Sequence, residues 1–262
     1  ILSGLVGSEM CIRDRSMPCT CPVDVWRPRE GAATKRLVFS PTRGLSDQHL
    51  RIPCGRCTGC RLDRAMGWAT RCIHEAQMHE HSCFITPTYS DENLPSDYSV
   101  SVRELQLFCK RIRHEVGPFR FFACGEYGER YQRPHYHMLV FGHDFAEDRV
   151  LHSRSKKGEL LFRSPKLERL WGKGSCLIGN VTLQSAGYCA RYSLKKITGE
   201  PAKDHYRRLH PVTGEVVHVR PEFITMSRRP GIGAEWFDRF SGDVFPSDFI
   251  VVDGVKRPVP AY

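Results

Sequence analysis

The chain has 262 residues, 40% hydrophobic, 10% aromatic and 26% charged, with 39 Lys and Arg against 29 Asp and Glu for a formal charge of +10. This is a globular composition, neither disordered nor fibrous, and no apolar run approaches the roughly 20 residues of a membrane-spanning helix. The basic balance favours a polyanionic partner, most simply nucleic acid, and the twelve cysteines are expected in a reducing compartment, binding metal or remaining thiols.

Residues 1–16 (ILSGLVGSEMCIRDRS) read as a translated sequencing adapter, with the natural protein expected to start at Met17; ILSGLVGS lacks the basic flank and cleavage site of a signal peptide. Residues 17–60, rich in Pro, Cys, Arg and Gly, read as an irregular arm. Leu62, Ala65, Ala69, Cys72, Ile73 and Ala76 recur at helical spacing over 61–81. Residues 83–89 (CFITPTY) read as a strand with Pro87 near its end or on an edge. Ser101 and Glu104 form a capping box for a helix to about Glu115, which Gly117-Pro118 ends. Residues 119–125 and 135–142 read as two strands joined by the polar loop EYGERYQRP. Ser164-Pro165 opens a short helix to Trp171, followed by a strand over 176–184 and a helix over 185–197. From residue 83 the order is β-α-β-β-α-β-α. Its first six elements give an α+β fold, a ferredoxin-like, mainly antiparallel sheet with packed helices. The chain thus divides into the adapter segment 1–16, a Cys-rich arm 17–60, a central domain 61–200 and a basic, irregular C-terminal region 201–262.

The sharpest chemical feature is Pro134-His135-Tyr136-His137-Met138. Residues two apart on a strand share a face, so His135 and His137 project together and can share one divalent cation. Two histidines on a half-exposed strand are the bland alternative. Glu126 ends the preceding strand and approaches the pair if the two strands form a hairpin; Glu129 in the loop competes for the same place. Two imidazoles and a carboxylate leave positions for a phosphate oxygen and water, which suits Mg²⁺ or Mn²⁺. The second feature is Tyr188-Cys-Ala-Arg-Tyr192-Ser-Leu-Lys195-Lys196, with both phenols on one helix face and Lys195 on a neighbouring position. A phenol is a poor nucleophile until a metal polarises the phosphorus and a cation favours phenolate. An amphipathic helix with aromatic core contacts carries the same spacing.

Several stretches recur in a set order: IPCGRCTGCRLDRA, CFITPTYSDENLP, RFFACGEYGERYQRPHYHMLVFG, YCARYSLKKITG and TMSRRPGIG, with FPSD at 245–248. Together they resemble the HUH endonucleases that initiate rolling-circle replication, and more narrowly the replication initiation proteins of gokushoviruses, single-stranded DNA phages of the microvirus group. Pro87 and Cys189 are departures, standing where Leu and Val are usual. The resemblance implies an HUH endonuclease fold over 61–200 and a nickase and strand transferase. One tyrosine attacks origin DNA to leave a 5′-phosphotyrosine and a 3′-OH primer, and the second takes over the strand for rejoining. It implies His135, His137 and Glu126 as ligands of Mg²⁺ or Mn²⁺, Tyr188 and Tyr192 as nucleophiles, and Lys195 as a charge-stabilising group. It implies phage origin DNA, a host polymerase and a host helicase as partners, in the bacterial host cytoplasm and with no membrane.

Residues 185–230 carry nine Lys and Arg against four Asp and Glu. Arg191, Lys195, Lys196, Arg207, Arg208, Arg228 and Arg229 are therefore expected to hold phosphates near the tyrosine helix. Tyr127 and Tyr131 are expected to stack bases. A solvated basic face is the competing reading. Cys54-x-x-Cys57-x-x-Cys60, with Cys19 and Cys21 upstream, offers a structural Zn²⁺ site or a metal-free thiol cluster. The competing function is a non-catalytic, zinc-stapled nucleic-acid-binding protein with buried tyrosines. Pro53-Cys54-Gly55-Arg56-Cys57 lacks the upstream His-x-Glu of a deaminase. His74-Glu75 lacks a histidine at Met78 for a metalloprotease, and no phosphate-binding G-x-x-x-x-G-K-[ST] loop marks a fused helicase.

Overall fold

The computed structural model describes residues 19–29, 31, 36–128, 131–155, 158–195, 199–210, 213–245 and 247–262. The expectations for residues 1–16, Glu129 and Lys196 lie outside these. Two compact units are present, Ile1–Arg64 and Ala65–Tyr262.

In the first unit, β1 (Val23–Pro28) and β2 (Gly44–Ile52) form an antiparallel ribbon, pairing Val23 with Ile52 and Val25 with Leu50. The arm was expected to be irregular. Its pairing spans a long connection with no hairpin turn signal, which leaves no local trace in the sequence. At the bulge opposite Pro28, a Cβ on Gly44 would fall 2.1 Å from the Cβ of Trp26, so only glycine fits. The helix α1 (Thr58–Gln77) begins six residues after β2.

In the second unit follow β3 (Ser82–Pro87), α2 (Val102–Val116), β4 (Arg120–Tyr127), β5 (Pro134–Phe141), β6 (Val150–Arg154), β7 (Leu160–Arg163), α3 (Pro165–Trp171), β8 (Cys176–Gly179), α4 (Leu183–Lys195), α5 (Pro201–His205), β9 (Arg207–Leu209), β10 (Val216–His218), β11 (Phe223–Met226), α6 (Ala234–Val244), β12 (Phe249–Val252) and β13 (Val255–Pro258). The seven-stranded sheet has the order β11-β4-β5-β3-β8-β7-β6, every neighbouring pair antiparallel. Its inner four strands with α2 and α3 make the expected β-α-β-β-α-β order. The α+β fold is compatible with an HUH endonuclease.

Three features were not anticipated. The β6–β7 hairpin is inserted before α3; β6 is exposed at every position, so it shows no alternation to read. β11, from the supposedly irregular C-terminal region, pairs with the outer edge of β4. The capping box is half formed. Ser101 Oγ accepts from the Glu104 amide, but the Ser101 amide donates to the Tyr136 hydroxyl, and Glu104 pairs with Lys173.

β5 shows why both sheet faces are covered. Its Tyr136, Met138 and Val140 meet Leu105, Phe108 and Ile112 of α2 and Leu167 and Trp171 of α3. Its Leu139 and Phe141, with Phe122 and Cys124 of β4, meet Ala69 and Cys72 of α1 and Ala186, Cys189 and Tyr192 of α4. Fully burying a side chain such as Phe108 contributes about 1.5–3 kcal/mol, against about 0–1 kcal/mol for an exposed ion pair such as Lys203–Glu200. Apolar burial therefore fixes α4 on the face that carries the site.

Candidate active site

The β4–β5 register sets Glu126 directly opposite His135, and Cys124 opposite His137. Directly opposed residues share a sheet face, so the carboxylate and both imidazoles converge. Glu126 Oε1 lies 2.9 Å from His135 Nε2 and 2.8 Å from His137 Nε2. One ligand atom from each of the three residues lies within 4.8 Å of the others, a group able to hold a metal ion. Glu126 and His137 are buried, and His135 is half-buried.

The outer nitrogens explain why this donor set fits a cation. His135 Nδ1 faces the Arg133 carbonyl at 3.1 Å, a pure acceptor, and therefore carries the proton. A neutral ring then aims its Nε2 lone pair at a carboxylate oxygen. That contact is satisfied by an imidazolium or by a cation between the two groups. His137 Nδ1 lies 3.0 Å from Thr86 Oγ1, a hydroxyl that can donate or accept. The His137 ring is also clamped, stacked on Phe84 with an interplanar angle of 10° and on Tyr192 at 13°.

The helix α4 brings both tyrosines onto this cluster. The Tyr188 hydroxyl donates to Glu126 Oε1 at 3.2 Å, and its ring lies edge-on to His137 with centroids 4.8 Å apart. The two tyrosine rings are 5.0 Å apart. Tyr188 is 39% exposed and Tyr192 4%, so one phenol opens to solvent and the other lies beneath it.

Burial opposes the charged form of Glu126, but hydrogen bonds from His135, His137 and Tyr192 outweigh it and hold the carboxyl at about 2. The tyrosines respond in the opposite direction. Burial, eased by the Tyr192 hydrogen bond and reinforced by the charge of Glu126, pushes the Tyr188 phenol up to about 12. Tyr192 is held well above the usual phenol range, first by burial and then by its hydrogen bonds and the same carboxylate. At pH 7 a phenol with the Tyr188 value is ionised in about one molecule in 10⁵. Attack through Tyr188 therefore needs positive charge beside Glu126.

The expected basic residues are not all gathered here. Lys195 ends α4, its side chain outside the described residues. Arg191 is exposed and folds back to donate to the Gly187 carbonyl at 3.2 Å. Arg228 and Arg229 are exposed just past Ser227, whose amide bonds the Phe121 carbonyl. They thus sit at the opposite end of β4 from Glu126, about 20 Å away along the strand. Arg208 lies 4.3 Å from the centre of the Tyr127 ring. The stacking role expected of Tyr127 is corrected: it is buried, donating to the Arg220 carbonyl at 2.6 Å and accepting from the Val100 amide at 3.1 Å. Tyr131 is 71% exposed in the β4–β5 loop. Sequence reasoning missed Thr86 and Phe84, which alternate on β3; they become legible only once β3 is known to lie beside β5.

A family model for the replication-associated protein ORF2 matches residues 82–197, from β3 through α4. The replication-associated protein VP4 of Bdellovibrio phage phiMH2K is 32% identical over 221 residues, covering 80% of this chain and 65% of that protein. The replication-associated protein ORF2 of Spiroplasma virus 4 is 33% identical over 227 residues, covering 80% and 66%, and ORF4 of Chlamydia phage 1 is 30% identical over 223 residues, covering 80% and 52%. The chain thus spans between half and two thirds of the length of these relatives. No solved structure matches it. Through the segment that carries the His-x-His strand and the tyrosine helix, the chain belongs to the replication-associated protein family of these phages.

Proposed function

We propose that this protein initiates replication of a phage genome by nicking single-stranded origin DNA through tyrosine transesterification and later rejoining the strand. The observation that carries the reading is the convergence of Tyr188 with His135 and His137 on a single oxygen of Glu126. The relatives' printed names supply the replication context.

Glu126, His135 and His137 would hold Mg²⁺ or Mn²⁺, which when bound supplies Lewis-acid polarisation of a phosphate oxygen. Tyr188, the accessible phenol, is the first nucleophile. Its Oη forms the new bond to phosphorus, the bond from phosphorus to O3′ breaks, and the leaving oxygen becomes the 3′-OH primer with a proton from water. The phenolic proton passes to solvent. Glu126, held at about 2, is too weak a base to keep that proton and instead orients the hydroxyl by accepting its hydrogen bond. Tyr192, one helical turn on, takes the strand in the second transfer. The energy of the cleaved ester is retained in the phosphotyrosine, so the exchange needs no nucleotide triphosphate. Extension and strand opening fall to a host polymerase and helicase in the bacterial cytoplasm. Among the described residues, no helix is long and apolar enough to cross a membrane.

A purely binding protein with both tyrosines buried is disfavoured by the 39% exposure of Tyr188. The test is incubation with a labelled single-stranded origin oligonucleotide and Mn²⁺. A denaturant-resistant adduct is expected. It is lost in the Tyr188→Phe, Tyr192→Phe double variant while non-covalent binding persists. An undiminished adduct in that variant would refute the assigned nucleophiles.

A further inference from the structure

The cysteines outside the catalytic face form a second cluster with its own geometry. Cys19, Cys54, Cys57 and Cys60 bring four sulfurs within 4.8 Å of one another. The Cys19 and Cys57 sulfurs are 3.8 Å apart. A disulfide would place them at about 2.0 Å. A tetrahedron with metal–sulfur bonds of about 2.3 Å has edges of about 3.8 Å, which the observed spacing matches. The described cysteines are all unpaired in disulfides.

The backbone around the cluster is arranged toward sulfur as an acceptor. The amides of Arg56 and Cys57 both point at Cys54 Sγ, at 3.4 and 3.3 Å, and the Cys54 amide points at Cys19 Sγ at 3.3 Å. Gly55, at φ +70°, makes the left-handed turn that folds those two amides back over Cys54. Amides converging on sulfur are the outer-shell pattern that stabilises metal-bound thiolates.

The first unit also lacks another source of stability. Among its described residues, the buried hydrophobic side chains are Val25 and Cys60. A two-stranded ribbon is marginal by itself, and small units without a core use metal or disulfides. The cluster sits where the ribbon opens: Cys19 precedes β1, Cys54 follows β2, and Val23 pairs with Ile52 between them. Of the two upstream cysteines that the sequence offers equally, the fold takes Cys19 and leaves Cys21 exposed and outside the group.

We propose that Cys19, Cys54, Cys57 and Cys60 bind one structural zinc ion that clamps the open end of the β1–β2 ribbon. Four thiolates in a closed tetrahedral set favour zinc and leave no position for substrate, unlike the open set of Glu126, His135 and His137.

The test is metal analysis of the full chain purified without added metal and dialysed. About one equivalent of zinc per chain is expected. Cys21→Ser and the His135→Ala, His137→Ala double variant should retain it; Cys19→Ser and Cys57→Ser should lose it at least about tenfold. These serine variants can fail to fold, so the wild-type protein is also exchanged with Co²⁺, whose absorption spectrum should be that of a tetrahedral four-thiolate site. Zinc absent from the wild type, iron in its place, zinc lost from Cys21→Ser but kept in Cys19→Ser, or a Co²⁺ spectrum without thiolate charge-transfer bands would each overturn the assignment.

Discussion

Thr86→Val removes one hydroxyl from beneath His137 and keeps the side-chain shape. In the native site the ring plane is held by stacking on Phe84 and Tyr192, with centroids 5.5 and 5.9 Å away. Neither stacking partner changes, so the ring should stay in place. What changes is the cost of its tautomer. To present a lone pair at Nε2, His137 must carry its proton on Nδ1, and the acceptor 3.0 Å away is Thr86 Oγ1. Losing a neutral hydrogen bond of this kind costs about 0.5–1.5 kcal/mol. Since about 1.4 kcal/mol is tenfold in an equilibrium constant, Mn²⁺ affinity should fall by about 2- to 13-fold. The value overlaps the lower end of outer-shell effects at metal sites, about 10–100-fold. Unfolding free energy should fall by about 1 kcal/mol for the same lost bond. The assay is Mn²⁺ titration by electron paramagnetic resonance, with urea unfolding on the same preparations. Unchanged Mn²⁺ affinity in a folded Thr86→Val protein would refute the view that Thr86 prepares His137 as a ligand.

Other residues give separate tests. A Cβ at Gly125 would lie 2.6 Å from the Phe223 ring, so Gly125→Ala should strain the β4–β11 pairing and lower the urea unfolding free energy by about 1–3 kcal/mol. Tyr131→Ala should weaken single-stranded DNA binding by about 1–3 kcal/mol in fluorescence anisotropy, whereas Tyr127→Phe should leave it unchanged and destabilise the fold by losing its bond to Arg220. Burial lowers His74 to about 4, in a ring stacked 3.5 Å from Trp236. Its folded value lies below the unfolded one of about 6.5, so the native state resists protonation. Stability should hold above that value and fall by up to about 3 kcal/mol as pH drops toward 4, a slope absent in His74→Phe when urea unfolding is followed across pH.

The site was legible wherever its logic is local. The period of two along β5 aligns His135 with His137, and the helical turn aligns Tyr188 with Tyr192. The hairpin then sets Glu126 against His135. What stayed hidden depends on pairing between distant segments. Thr86 reaches His137 because β3 lies beside β5, an adjacency that no nearby residue announces. Tyr127 looked exposed beside a polar loop, but Val219 and Glu222 come from about 90 residues away to cover that edge, with the Arg220 carbonyl between them accepting its proton. The same long-range pairing hid β11 and the β1–β2 ribbon. Arg228 and Arg229 lie close to the tyrosine helix in sequence, yet antiparallel pairing of β11 with β4 carries them to the far end of the strand.

The central claim is that Tyr188 is the first nucleophile, and proteolytic mapping of the DNA adduct tests it most directly. Trypsin cleaves after Lys173, Arg191 and Lys195, which separates the two tyrosines onto different peptides. After a single turnover on a single-stranded origin oligonucleotide with Mn²⁺, mass spectrometry should find the phosphonucleotide on Gly174–Arg191, the peptide that carries Tyr188. A nucleotide on any residue outside α4, or first on the Tyr192 peptide, would contradict it.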